Sequence, residues 1–107
     1  MAEHDFRALY DKYPAIIAQM PEIFTSHQFI LELAHQNQVE YIEALYSYRH
    51  HLRNGRPTPF MIVHARLARH LAVYPHLIEQ IGKNVPSKHI FGYGEMCTEW
   101  RKRAHGV

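Results

Sequence analysis

Apolar residues recur at spacings of three and four along several stretches of the chain, and each such stretch predicts an amphipathic helix. The clearest runs from Thr58 to Tyr74, where Phe60, Val63, Leu67, Leu71 and Tyr74 share one stripe while Arg66, Arg69 and His70 lie off it. Thr58 offers a capping hydroxyl, and Pro59 takes the first helical position, where a missing N–H costs nothing. Near the start, Phe6, Leu9, Tyr13, Ile16 and Met20 repeat the pattern behind Asp5 as a cap. Pro14 interrupts that run, predicting a kink or two short helices meeting near Tyr13, and Pro21 ends it. The next start signal is a capping box of Thr25 and Gln28, with Ser26 as the alternative cap and Phe24 and Phe29 placed as a hydrophobic staple. That helix runs through Ile30 and Leu33 and closes near Asn37, a residue tolerant of the left-handed conformation. A third helix follows from Val39, burying Tyr41, Leu45, Tyr48 and Leu52, until Asn54, Gly55, Pro57 and Pro59 break the pattern.

Beyond the break at Tyr74 and Pro75, the spacing of Leu77, Ile78 and Ile81 predicts a short helix stopped by Gly82. Lys83 to Gly94 has no helical period and contains Pro86, Gly92 and Gly94, which fits a loop or short β-hairpin. A last helix is expected from about Glu95, with Met96 and Trp100 on one face and Trp100 buried. The expected fold is therefore mainly α: one compact domain over residues 1–107, a bundle of five or six helices. It includes a helix-turn-helix-like pair and a hairpin placed like a wing near 83–94. Helices followed by a basic hairpin resemble a winged helix in architecture, whose wing contacts the nucleic-acid backbone or minor groove.

Composition changes this picture little. With 107 residues, 47% hydrophobic and 21% charged, the chain is one globular domain's worth and not disordered. Cys97 is the only cysteine, which excludes an internal disulfide and fits a reducing compartment. No apolar h-region and no run of eighteen apolar residues is present, so a soluble, cytoplasmic protein without a membrane span is expected.

Charge adds more. Met1 to Tyr48 carries two cations, Arg7 and Lys12, against seven acids, a net of −5; Arg49 to Val107 carries ten against three, a net of +7. Seven of the ten histidines lie in the basic half. Such polarity points to a nucleic-acid or acidic-partner surface on the second half, or to mutual attraction of the halves. The tight pair of helices around Asn37 has the skeleton of a helix-turn-helix. Glu40 and Glu43 at the start of its second member oppose phosphate, which leaves Tyr46, Arg49, His50 and Arg53 to touch nucleic acid; an ordinary helical hairpin is the competing reading. Lys83 and Lys88 would be the phosphate contacts of the wing. Arg101, Lys102 and Arg103 form a cluster that either clamps phosphate or complements the dipole of a last helical turn.

Catalytic and metal signatures are missing. There is no nucleophile elbow, no phosphate-cradling glycine loop, no H-E-x-x-H and no cysteine pair. His64, His70 and His76 recur every six residues, which spreads them around a helix, and His64 borders the apolar stripe as a hydrogen-bonded core histidine would. Neither enzyme nor cofactor nor metal site is expected. The function expected is a small DNA-binding or DNA-associated regulatory protein contacting phosphates through Arg49, Arg53, Arg66, Arg69, Lys83, Lys88, Arg101, Lys102 and Arg103. The alternative is a protein-interaction module, or a homo-oligomer whose acidic and basic halves engage a partner, without nucleic-acid binding.

Overall fold

The computed structural model describes residues 5–53, 56–57, 59–88 and 94–103; for 52–53, 56–57, 84, 87–88 and 94–96 it describes the backbone path alone. The cap expected of Thr58, the breaker pair Asn54 and Gly55, and the hairpin tip from His89 to Tyr93 lie outside these residues.

The amino-terminal pattern folds as its spacing dictates. Pro14 sits at the start of a helix rather than inside one, so the stripe divides into α1 (Arg7–Tyr10) and α2 (Tyr13–Gln19). Its apolar residues Phe6, Leu9, Tyr13, Ile16, Ile17 and Met20 are all buried. The capping box forms in full: Thr25 Oγ1 accepts from the Gln28 N–H at 3.2 Å, and Gln28 Oε1 accepts from the Thr25 N–H at 2.9 Å. It opens α3 (Ser26–Gln36), and the Phe24 and Phe29 rings lie 6.2 Å apart across the entry. Asn37 closes that helix, but at φ −135 and not in the left-handed region; its side-chain amide donates to the Leu33 carbonyl at 3.0 Å instead. It is also the only residue between α3 and α4 (Gln38–Ser47). After the small β2 (Leu52–Arg53) and β3 (Arg56–Pro57) ladder comes α5 (Pro59–His70), continued by one 3-10 turn over Leu71–Val73. Val63, Leu67 and Leu71 are fully buried and Phe60 and Tyr74 half-buried, the face expected of them.

The carboxy-terminal third corrects the expected fold class. Instead of two more helices, Ile78–Lys88 is the long strand β4 and Gly94–Lys102 is β5. With β1 (Ile23–Thr25) they form an antiparallel sheet in the order β1-β5-β4. The chain is therefore α+β, helices packed on a sheet, and neither all-α nor a bundle of five or six helices. The hairpin expected near 83–94 is present as backbone pairing from Lys88↔Gly94 downward, but it extends to Ile78↔Lys102 and belongs to the core sheet. β5 is central because both neighbours pair with it: Trp100 faces Phe24 on one side and Gln80 on the other. Its indole N–H donates to Ser26 Oγ at 3.0 Å, pinning the sheet to the start of α3. The register shifts on both sides of Gly82, where a Cβ would stand 2.9 Å from Val85 Cγ2, so the strand bulges at a position that holds no side chain.

The helix at the centre is α3, which touches α2, α4, α5 and all three strands of the sheet and buries Phe29, Ile30 and Leu33. Tyr13, fully buried, donates its hydroxyl to the Leu67 carbonyl at 2.6 Å and so ties α2 to α5. Burial pushes that phenol far up from its ordinary pKa. No helix of the described residues is long and apolar enough to cross a membrane.

Candidate functional site

α5 buries Val63, His64 and Leu67, with Leu71 following on the same stripe, and its other side carries Arg66, Arg69 and His70 toward α1. With Tyr10 and Val73 these residues line a shallow cleft of about 290 Å³. Aromatic stacking sets its shape. The Tyr10 and His70 rings lie 3.6 Å apart and nearly parallel, with Tyr13 and Tyr74 meeting His70 edge-on at 4.9 and 5.5 Å. The Tyr74 hydroxyl donates to the Tyr10 carbonyl at 3.2 Å and lies 3.3 Å from His70 Nε2. A hydroxyl has one proton, so with that proton on the carbonyl the His70 Nε2–H is the donor of the second contact. Arg66 rests 5.9 Å from the Phe6 ring, which itself stacks on Tyr10 at 5.7 Å.

Electrostatics mark the cleft as positive. Burial raises the Tyr10 phenol, while Arg66 and then Arg69 pull it back down, so both guanidinium groups act on the same oxygen. Burial also lowers the His70 pKa, keeping that ring neutral at neutral pH. Burial first and Asp11 second raise Tyr74. Between Glu43 and Glu79 the sequence contains no acid at all, against Arg49, Arg53, Arg56, Arg66 and Arg69. The cleft thus offers two cations and aromatic surface, suited to a phosphate with an attached base or sugar.

A second cleft of about 390 Å³ lies between the start of α3, the outer side of α5 and β5, where Arg69 meets Ser26, His27, His64, Cys97 and Thr98. His64 is a core histidine: its Nε2 lies 2.5 Å from the hydroxyl of Tyr41, a phenol that burial pushes up to about 12. The hydroxyl donates in this contact where His64 Nε2 carries no proton and accepts where it does. Cys97 is half-exposed. Among the described residues no three His, Cys, Asp or Glu side chains stand close enough together to hold a metal ion.

Of the nine cations singled out in the sequence, the structure brings Arg66 and Arg69 together. Arg101 and Arg103 instead straddle Glu79, at 3.8 and 3.7 Å. The register explains this, since Glu79 pairs directly with Arg101 across the ladder and Arg103 lies two positions on, on the same face. Lys102 points the other way and donates from Nζ to the Ala18 and Met20 carbonyls at 3.1 and 3.0 Å, capping the open end of α2. Arg49 lies over the Tyr46 ring at 3.8 Å, and Lys83 is exposed on β4. The side chains of Arg53 and Lys88 are outside the described set. Sequence reasoning did not single out Tyr10 as a cleft residue. Tyr10 lies one helical turn from Phe6, and off the Phe6, Leu9, Tyr13 stripe.

Comparison with protein-family models, with curated proteins and with solved structures found no match to this chain. The site stands on its own geometry.

Proposed function

We propose that the chain binds nucleic acid through the outer face of α5. The observation that carries the reading is the convergence of Arg66 and Arg69 on one aromatic-walled cleft, in a stretch of chain free of acids from Ala44 to Ile78. Lys83, exposed on the strand β4 that follows α5 in the chain, adds a further cation. Phosphate neutralisation by α5 supplies the affinity. The paired Arg101 and Arg103 and the occupied Lys102 contribute less, since their charge or donors are already engaged.

Fluorescence anisotropy of labelled duplex and single-stranded DNA, titrated with the full chain at several salt concentrations, tests the proposal. Binding at low salt that weakens linearly in log–log form is the expected result. No binding to either strand form at low salt refutes it.

A further inference from the structure

We infer that the outer face of α4 is a homodimer interface, in which the helix packs antiparallel against its own copy across a two-fold axis. Of the exposed large apolar side chains among the described residues, four lie on the α3–α4 pair: Leu31, Val39, Ile42 and Tyr46, exposed by 48%, 65%, 60% and 62%. On α4, Val39, Ile42 and Tyr46 are spaced by three and four and form a second stripe, away from the Tyr41, Ala44 and Tyr48 side that faces the core. A helix that is apolar on two sides is covered on two sides in its working state. Beside this stripe, an apolar groove of about 420 Å³ runs between α3 and α4, walled by Leu31, Ala34, Tyr41 and Ile42.

Charge identifies the occupant. The amino end of the stripe carries Glu40 in the first turn of the helix, with Glu43 at mid-helix. Its carboxyl end is closed by Arg49, whose guanidinium covers Tyr46 and donates to the Tyr46 carbonyl at 3.0 Å, and by the exposed His50. A two-fold interface must be complementary to itself. This one is, when the helices run antiparallel: the acidic start of each lies beside the basic end of the other, the macrodipoles oppose favourably, and Ile42 meets Tyr46 twice. A parallel pair would set like charges side by side. The seam on α4 is about 15 Å long, from ten residues at about 1.5 Å each, so the interface is small and the dimer concentration-dependent.

Sedimentation velocity of the full chain without nucleic acid, from low-micromolar to near-millimolar concentration, tests the inference apart from any DNA binding. A monomer–dimer equilibrium is expected. Ile42→Glu, at an exposed position that folding does not need, keeps the circular-dichroism spectrum and remains monomeric throughout. Glu40→Arg and Arg49→Glu each weaken association about tenfold, and the double exchange recovers most of the loss. A wild-type chain that stays monomeric, a dimer that survives Ile42→Glu, or a double exchange no tighter than the single variants each overturn the assignment.

Discussion

Replacing Arg66 and Arg69 together by glutamine tests the nucleic-acid reading most directly, because the structure fixes what the change should do. Each cation that neutralises a phosphate contributes about −0.9 to the slope of log affinity against log salt. Both guanidinium groups act on the Tyr10 phenol, and both line the one cleft. Their loss should flatten the slope by about 1.8, which makes the variant roughly tenfold less sensitive to a fourfold rise in salt. The matched control is Arg101→Gln with Arg103→Gln. These two also remove two positive charges, but Glu79 already offsets one of them, so the slope should change by no more than about 0.9. Anisotropy titrations at four salt concentrations, with circular dichroism to confirm folding, decide between them. Equal slope changes in the two variants, or a weaker affinity of the α5 variant with an unchanged slope, would refute the reasoning.

Further outcomes follow from the interior contacts. Tyr13→Phe deletes the 2.6 Å bond to Leu67 inside the core and should cost about 1 to 2 kcal/mol in urea unfolding; Tyr74→Phe, with its longer 3.2 Å bond at a half-buried site, should cost less. Because Tyr41 is held protonated up to about 12 while the unfolded phenol ionises near 10, folding stability should fall as pH rises through that window, and Tyr41→Phe should remove part of the fall in alkaline denaturation curves. The lowered pKa of His70 works at the other end. The unfolded chain binds that proton first, so stability should decline as pH drops below about 6.5, and His70→Gln should blunt the decline in pH-dependent melts. Thr25→Ala opens the capping box and should destabilise the chain by about 1 kcal/mol, read from the same urea transitions.

Local chemistry determined where the helices of the amino-terminal two thirds begin and which faces they bury. The division at Pro14, the box at Thr25 and Gln28, the single stripe of α5 and the hydrogen-bonded role of His64 each depend on residues within a few positions, or on burial that the 3.6 period reports. The sheet was settled by tertiary structure. Ile78 and Ile81, and Met96 and Trp100, are spaced alike on a short helix and on a strand bent by bulges, and a run of that length cannot separate the two. What decides is pairing: β4 pairs with β5, and β5 also with β1, about 75 positions away in sequence, a three-residue strand whose own apolar pattern had been spent on explaining a helix start. The same register decided the fate of the basic residues. Arg101, Lys102 and Arg103 form one cluster in the sequence, yet a strand points alternate side chains to opposite faces, sending two to Glu79 and one to the carbonyls of α2. α5, whose helical geometry was legible from the outset, brings Arg66 and Arg69 to one cleft.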